Sequence, residues 1–339
     1  MEDNILEIKN LSTSFFTHLG EVKAVRDVSF SVEKGKVLGI VGESGSGKSV
    51  TALSCMRILQ EPGRIVGGEI LFKGEDLGKK SNKEMRAIRG NDISMIFQNP
   101  MSSMNAVLRV GDQLTEPLME HTSISKKDAM KRAAELLSLV QIPDAEKRLR
   151  AYPHEFSGGM RQRAMIAMAL ACDPELLIAD EPTTALDVTT QSQIIKLLSD
   201  IREKLGMSII LITHDLGVVA EICDSVVVMY GSMIMEEAPV DDIFHNACHP
   251  YTLGLLNSIP VVTGDSKNTR LEPIPGTPPN LLQPPPGCPF APRCAYAMKV
   301  CTEKAPQNTQ ISDNHRSMCW LLHEDAPDNF LKRGNPIVR

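Results

Sequence analysis

A glycine-rich stretch of eight residues, 42–49, constrains the fold of this chain more than any other part of its sequence. It has the sequence Gly-Glu-Ser-Gly-Ser-Gly-Lys-Ser and matches the pattern G-x-x-x-x-G-K-[ST]. The apolar run Val37–Val41 before it predicts a buried parallel strand, and residues 50–56 after it predict a helix. In that setting, backbone N–H groups point at phosphate oxygens, and the positive end of the helix dipole adds to the attraction. The stretch therefore predicts a phosphate-binding loop in an α/β fold.

Two side chains of this loop carry the expected nucleotide chemistry. We expect Lys48 to reach the β- and γ-phosphates and the Ser49 hydroxyl to bind Mg²⁺. A chance match in a surface loop is the alternative, and the flanking strand and helix argue against it. The expected phosphate contacts are Gly42, Glu43, Ser44, Gly45, Ser46, Gly47, Lys48, Ser49 and Val50.

Composition places the chain among globular proteins of about two domains. It has 339 residues, of which 42% are hydrophobic and 23% charged, and its mean hydropathy of -0.10 argues against a transmembrane helix. The acidic N-terminus is unlike a secretory signal, which predicts a cytoplasmic protein. A net charge of -6 gives no reason to expect nucleic acid as a partner.

Predicted strands and helices alternate along most of the chain. Residues 5–41 predict antiparallel strands, residues 100–172 predict a helical insertion, and a strand returns at Leu176–Asp180. Alternation of this kind favours a largely parallel sheet with right-handed crossovers.

Polar side chains follow three of the predicted strands. Gln98, Asp180 with Glu181, and His214 each stand where an apolar strand ends, and ligands of parallel sheets bind at that edge. We expect Asp180 to hold Mg²⁺, Glu181 to act as general base on the attacking water, and Gln98 and His214 to orient that water. Taken singly, each has a plainer interpretation as a loop cap or a solvated turn.

The eight cysteines fall into two groups. Cys55, Cys172, Cys223 and Cys248 are scattered, as small core residues are, whereas Cys288, Cys294, Cys301 and Cys319 crowd into one segment. The spacings of the second group, C-x5-C, C-x6-C and C-x17-C, match neither the usual zinc pattern nor the common ferredoxin pattern. Residues 273–292, which include Cys288, contain nine prolines, and this predicts that the stretch is an extended connector.

Together these motifs resemble the ATP-binding subunit of an ABC transporter. The resemblance rests on residues 42–49, Gln98, 156–162, 176–181, 185–187 and His214. It implies a P-loop ATPase core with an antiparallel β subdomain and a helical subdomain at about 100–172, together residues 1–255. Residues 256–339 would form a Pro/Cys-rich C-terminal extension.

The resemblance also assigns further residues to the ATP site. Ser157, Gly158 and Gly159 would contact the γ-phosphate held by an opposite subunit, and Asp187 would lie at the seam between the two. Phe15 matches the aromatic that stacks on adenine, and Gln98 would join Ser49 and Asp180 around Mg²⁺. Phe156 and Met160 depart from the usual leucine and glutamine, which removes no phosphate contact.

Four further motifs narrow the resemblance to importers of oligopeptides and dipeptides, with nickel and glutathione importers in the same branch. They are residues 152–163, 213–219, 249–252 and 286–294. This implies an ATPase on the cytoplasmic face of the membrane that works with two permeases, a second ATPase and an extracytoplasmic solute-binding protein. The permeases would dock near Gln98 and residues 99–120.

The same branch suggests a role for the clustered cysteines. Some members carry a [4Fe-4S] cluster in this region, and Cys288, Cys294, Cys301 and Cys319 match that pattern. Zinc held by Cys319 with His315 or His323 is the second interpretation, and thiols without a metal are the third.

Two other classes of function fit the sequence less well. A soluble ABC ATPase acting on ribosomes or DNA would usually have two nucleotide domains or a long coiled-coil insertion. Only 109 positions separate Lys48 from Ser157, and no sustained heptads lie between them. A metal- or redox-sensing module with a vestigial ATPase is disfavoured because every hydrolytic residue is present.

Overall fold

The structure, a computed structural model, describes residues 4–98, 104–184, 186–258 and 273–326. The backbone divides into two compact units. The first unit comprises Met1–Leu6, Ser31–Val37 and Leu71–Ile212, and the second comprises Glu7–Phe30, Leu38–Ile70 and Thr213–Arg339.

The elements of the described residues are as follows. The strands are β1 (Asn4–Thr17), β2 (Gly20–Glu33), β3 (Val37–Val41), β4 (Gly63–Phe72), β5 (Glu75–Asp76), β6 (Ile93–Ile96), β7 (Leu176–Asp180), β8 (Ser208–Thr213), β9 (Ser225–Tyr230), β10 (Met233–Pro239), β11 (Thr309–Ser312) and β12 (His315–Ser317). The α-helices are α1 (Lys48–Cys55), α2 (Asn82–Ile88), α3 (Val110–His121), α4 (Lys126–Leu139), α5 (Ala145–Arg148), α6 (Gly158–Ala169), α7 (Val188–Leu205), α8 (Leu216–Ile222), α9 (Val240–His245), α10 (Pro250–Asn257) and α11 (Lys299–Glu303).

Three parallel strands form the centre of the first unit, in the order β8-β7-β6. Every residue of these strands is buried, which is why their sequences are continuous apolar runs with no alternation. The predicted parallel arrangement is thus present. Strand β6 ends at Ile96, so Gln98 lies two residues beyond it and not at its last position.

The helices of the first unit include the predicted insertion. The apolar stripe on α4, which comprises Ala129, Ala133, Leu136 and Leu137, is completely buried, as its spacing predicts. The Ser125 hydroxyl caps the start of this helix by accepting a hydrogen bond from the Asp128 N–H.

The second unit contains the strand before the glycine-rich loop. Strand β3 runs parallel to β9, and the antiparallel hairpin of β9 and β10 is extended by β12 and β11. Most of β1, β2 and β4 lies in this unit, and these strands are neighbours in another sheet, in the order β2-β1-β4. Residues 273–290 contain no helix or strand, which fits the fixed φ and missing N–H of their prolines.

Candidate functional site: a phosphate loop, a paired carboxylate and a four-thiol cavity

The glycine-rich loop links β3 to α1 in the second unit, and its glycines are required by its backbone. Gly42 has φ +153° and Gly47 has φ +102°. A Cβ on Gly42 would lie 2.1 Å from the Met229 carbonyl oxygen, and one on Gly47 would lie 2.5 Å from that of Ala24. No side chain fits at either position, so the close approach of the loop to β2 and β9 depends on both glycines.

Lys48 opens helix α1 and turns back over the loop. Its side chain is buried, and its Nζ donates to the carbonyl oxygens of Gly42, at 2.7 Å, and Glu43, at 3.0 Å. The ammonium group therefore lies beside the loop backbone at the start of α1. A positive charge next to helix-terminal N–H groups can hold an anion.

Glu43, the second residue of the loop, is held by three other groups. Its N–H donates to the Tyr251 hydroxyl at 2.9 Å, its carbonyl accepts from Lys48, and its carboxylate pairs with Arg293 at 2.7 Å. Tyr251 is the second residue of α10, and Arg293 comes from the cysteine-rich segment. Burial lowers the pKa of Arg293, but its hydrogen bonds to Glu43 and Tyr230 outweigh burial and raise it above its ordinary value.

In the first unit, two of the predicted hydrolytic residues are in direct contact. Gln98 donates from Nε2 to the Glu181 carboxylate at 2.6 Å, and the Thr184 hydroxyl donates to the same oxygen at 2.9 Å. Asp180 is the buried last residue of β7. Glu181 follows with φ 46°, a left-handed conformation that costs an L-residue about 1–3 kcal/mol. Such strain at a strand end is typical of a functional position.

The predicted signature residues lie at the start of helix α6. Ser157 caps this helix by accepting from the Met160 N–H at 3.3 Å, as its position predicts, and it is exposed together with Gly158. A Cβ on Gly158 would meet no atom within 4 Å, and one on Gly159 would lie 3.1 Å from the Thr190 methyl group. The N-terminal end of α6 is therefore an open surface with exposed backbone.

Asp187 caps the neighbouring helix α7. Its carboxylate accepts from the N–H and the hydroxyl of Thr190, at 2.9 and 2.7 Å, and these hydrogen bonds hold its pKa below the ordinary value. The same threonine faces Gly159, so the first turns of α6 and α7 adjoin. Ala185, part of the predicted motif at residues 185–187, lies outside the described residues.

Two remaining predicted residues lie in the second unit. His214 is exposed and follows β8 directly. Phe15 is half-buried on β1, two residues after Thr13, whose hydroxyl lies 2.9 Å from that of Ser54 on α1. Because side chains alternate along a strand, Phe15 is on the face that carries α1 and Phe16 is on the other.

All four clustered cysteines line one small cavity of the second unit. Cys288, Cys294, Cys301 and Cys319 surround it together with His249, Phe290 and Trp320. Burial raises the pKa of the Cys288 thiol to about 11 and that of the Cys319 thiol to about 12. Among the described residues, the ligand atoms of Glu236, Cys248 and His315 all lie within 4.8 Å of one another.

Comparison with known proteins gives two family models that match. One, described as ABC transporter, matches residues 25–184, and the other, described as oligopeptide/dipeptide transporter, C-terminal region, matches residues 235–301. The oligopeptide transport ATP-binding protein OppD of Bacillus subtilis is 55% identical over 324 residues, which are 95% of this chain and 90% of the relative. The dipeptide transport ATP-binding protein DppD of Lactococcus lactis is 52% identical over 98% of this chain and 96% of the relative. This chain is an ABC transporter ATPase of the oligopeptide/dipeptide branch.

A solved ABC cassette has the same fold. The dimeric structure of a post-hydrolysis state of the ATP-binding cassette MJ0796 bound to ADP and Pi superimposes with a TM-score of 0.63 at 25% identity, covering 69% of this chain and 98% of that one. The predicted P-loop ATPase fold is therefore confirmed. None of the described helices of this ABC ATPase is long and apolar enough to cross a membrane.

Sequence reasoning missed three residues that contact the predicted site of this ABC ATPase. Thr184 lies three residues after Glu181 and donates its hydroxyl to the Glu181 carboxylate. Nothing in the sequence indicated this hydrogen bond. Tyr251 and Arg293 lie in motifs that distinguish the peptide-importer branch, at 249–252 and 286–294. Both residues belong to motifs visible in the sequence, but only the fold shows that they contact Glu43. Arg293 is 250 positions away from Glu43 along the chain.

Proposed function

We propose that this chain binds and hydrolyses ATP to energise the uptake of oligopeptides or dipeptides through two membrane permeases. The proposal that this chain hydrolyses ATP rests on one observation. The Glu181 carboxylate accepts hydrogen bonds from Gln98 and Thr184 directly after a buried strand. The transport half is supported by the match of residues 235–301 to the oligopeptide/dipeptide transporter region, and by relatives named for oligopeptide and dipeptide transport.

The phosphate-binding roles follow from the loop. The backbone of residues 42–50 surrounds the phosphates, and Lys48 neutralises the β- and γ-phosphate oxygens when it leaves its two carbonyl partners. Ser49, Gln98 and Asp180 supply oxygen ligands to Mg²⁺, since hydroxyl, amide and carboxylate oxygens are what this ion prefers. Phe15 stacks on adenine from the face of β1 that carries α1.

The hydrolytic roles belong to three side chains. Glu181 takes a proton from the attacking water, and Gln98 and His214 orient that water against the γ-phosphate. The hydrogen bond from Gln98 supports this assignment because an amide that holds the carboxylate at 2.6 Å also fixes where the water binds.

A second ATPase subunit, a homologous chain or a copy of this one, completes each site in our proposal. The N-terminal end of α6, at Ser157, Gly158 and Gly159, is open and would present helix-terminal N–H groups to the γ-phosphate of the second subunit. Asp187 lies at the same end of the first unit, beside Thr190. The related cassette MJ0796 is dimeric in its solved structure, which is consistent with such a pair.

We place the permeases next to Gln98 and residues 99–120, on the cytoplasmic face of the membrane. Three apolar side chains of that segment are exposed, namely Val107, Leu108 and Met119, and so is Phe97 directly before it. Exposed apolar groups clustered in sequence are typical of an interaction site. Residues 99–103 of the predicted docking segment lie outside the described residues. Residues 1–255 would then form the nucleotide-binding domain and residues 256–339 an extension of peptide-importer type.

The four-thiol cavity is our proposed site for a [4Fe-4S] cluster. The four thiols line one cavity, and a [4Fe-4S] cluster needs four thiolates, one on each iron. Of the residues in the zinc alternative, Cys319 lines this cavity, and His315 and His323 do not. When bound, the cluster would supply redox chemistry or structural cross-linking. Cys288, Cys294, Cys301 and Cys319 would hold it.

Reconstitution tests the transport assignment. The chain is assembled with candidate permeases and a candidate second ATPase, and ATP hydrolysis is measured with a solute-binding protein loaded with a peptide, with nickel or with glutathione. We expect peptide to stimulate hydrolysis and to accumulate inside vesicles. If only nickel or only glutathione stimulates hydrolysis, the chain is an importer ATPase for that solute instead. ATPase activity that no permease changes would contradict a role in transport.

A further inference from the structure

One connection between the cysteine-rich segment and the rest of the second unit ends on the phosphate loop. Arg293 donates to the Glu43 carboxylate at 2.7 Å and to the Tyr230 hydroxyl at 3.1 Å from the same nitrogen. Two further donors reach the carbonyl oxygens of Pro275, at 2.7 Å, and Ile274, at 3.1 Å. The side chain is only 5% exposed, so this guanidinium is a buried junction with four hydrogen bonds.

The junction adjoins the cysteine cavity on its other side. Arg293 directly precedes Cys294, and its guanidinium lies over the rings of Tyr230 and Phe290, at 5.5 and 6.0 Å. Phe290 lines the cavity and packs on both Tyr230 and Tyr251, with ring centroids 5.3 and 5.2 Å apart. Tyr251 in turn accepts from the Glu43 N–H. The contacts are therefore continuous from the thiols to both the backbone and the side chain of Glu43.

A simple structural role would be to attach the extension to the domain. Another ion pair of the same segment already does this, since Arg316 on β12 pairs with Glu237 on β10 and reaches the Ser29 carbonyl. That pair contacts no residue of the phosphate loop. Arg293 differs because its charged partner belongs to the loop itself, with Glu43 between Gly42 and the exposed residues Ser44 and Gly45.

We propose that Arg293 is a positioning residue for the phosphate loop, through which the cysteine segment sets the affinity of this chain for Mg·ATP. The inference rests on the proposed function only in taking residues 42–50 as the ATP site. Its physical basis is preorganisation: a loop already held at the N–H and the side chain of Glu43 loses less conformational freedom when phosphates bind. Displacing the cysteine segment moves Arg293 and Phe290, and so loosens both attachments.

The test compares two arginines of the same extension. The purified full-length Arg293→Gln and Arg316→Gln variants each lose one ion pair to the domain, and only the first loses a contact to the loop. Affinity for Mg·ATP is measured by calorimetry and melting temperature by scanning fluorimetry. We expect both variants to melt earlier, and only Arg293→Gln to bind Mg·ATP about tenfold more weakly. Arg293→Lys, which keeps the charge next to Glu43, should recover most of that loss.

A second arm tests the connection to the thiols. We expect Cys294→Ser to weaken Mg·ATP binding in the parent chain and to cause no further loss in Arg293→Gln, since both changes act through one junction. Glu43→Gln, which leaves the segment intact, provides a milder variant should Arg293→Gln fail to fold, and the same loss of affinity is expected.

The outcomes separate this inference from the proposed function. Equal affinities for the parent, Arg293→Gln and Glu43→Gln would overturn the positioning role, as would an equal loss of affinity in Arg316→Gln. Additive losses for Cys294→Ser and Arg293→Gln would overturn the coupling to the cysteine segment. A parent chain that does not bind Mg·ATP at all would instead contradict the proposed function.

Discussion

The phosphate loop and the cysteine cavity belong to the same unit, yet they are built in different ways. The loop is eight consecutive residues whose shape comes from its own backbone, at glycines that tolerate no side chain. The cavity takes its thiols from positions spread over residues 288–319, which are brought together by contacts such as the 2.7 Å hydrogen bond from the Cys288 N–H to the Cys301 carbonyl. The sequence of a contiguous motif such as the loop therefore determines its three-dimensional shape. For a dispersed set such as the four cysteines, the sequence identifies the residues but not how they are arranged in space.

The largest effect is expected where the backbone itself is the site. Gly42→Ala would place a methyl group 2.1 Å from the Met229 carbonyl, so the loop must move away from β9. We expect Mg·ATP affinity, measured by calorimetry, to fall by about a hundredfold or more. The matched control is Gly206→Ala, at φ +68° with no atom within 4 Å of the added carbon. It should lose about 1 kcal/mol of unfolding free energy and keep its affinity. A Gly42→Ala protein that binds like the parent would mean that the backbone does not define the loop.

Substituting a cysteine of the cavity is expected to change nucleotide binding less than Gly42→Ala does, but to remove the bound metal completely. Protein purified without oxygen should be brown and contain about four irons per chain, and Cys301→Ser should lose them. Cys172→Ser, which removes a thiol outside the cavity, should keep its iron. Elemental analysis measures the iron and zinc content of the protein, and absorption spectra show whether a cluster is present. Colourless protein with zinc, or with no metal, would reject the iron–sulfur assignment and leave the dispersed residues as thiols or as a zinc site.

The smallest effect is expected on the adenine side of the ATP site. Phe15 and Phe16 are neighbours of identical size on opposite faces of β1, and Phe16 is 47% exposed with Arg64 over its ring at 5.9 Å. Phe15→Ala should weaken ATP binding by about tenfold, since a stacked base contributes about 1–3 kcal/mol. Phe16→Ala should leave binding unchanged. The reverse ranking in nucleotide titrations would assign the stacking role to Phe16.

The local elements of this fold were largely predictable from sequence. Buried parallel strands such as β7 and β8 are continuous apolar runs, and the stripe on α4 has helical spacing, so both could be identified from the residues alone. Boundaries were less predictable. The sequence placed the first helix at residue 50, but the structure begins α1 at Lys48, because a glycine at φ +102° already caps it there.

For the site, the sequence predicted the residues but not the contacts that position them. Gln98 and Glu181 were assigned to the same chemistry because each follows a strand, and a 2.6 Å hydrogen bond joins their side chains. Arg293 and Tyr251 had no assigned role, since their partner Glu43 is more than 200 positions away. Contacts of this range depend on how the chain folds back, and no periodicity or spacing in the sequence encodes them.

The most direct test of the account is the Glu181→Gln variant, with phosphate release and ATP affinity measured side by side on the assembled transporter. The account predicts that phosphate release falls by about a hundredfold or more, because the amide cannot accept the proton of the attacking water, while ATP binding persists. Phosphate release at the parent rate would contradict the assignment of Glu181 as the base on which the proposed ATPase depends.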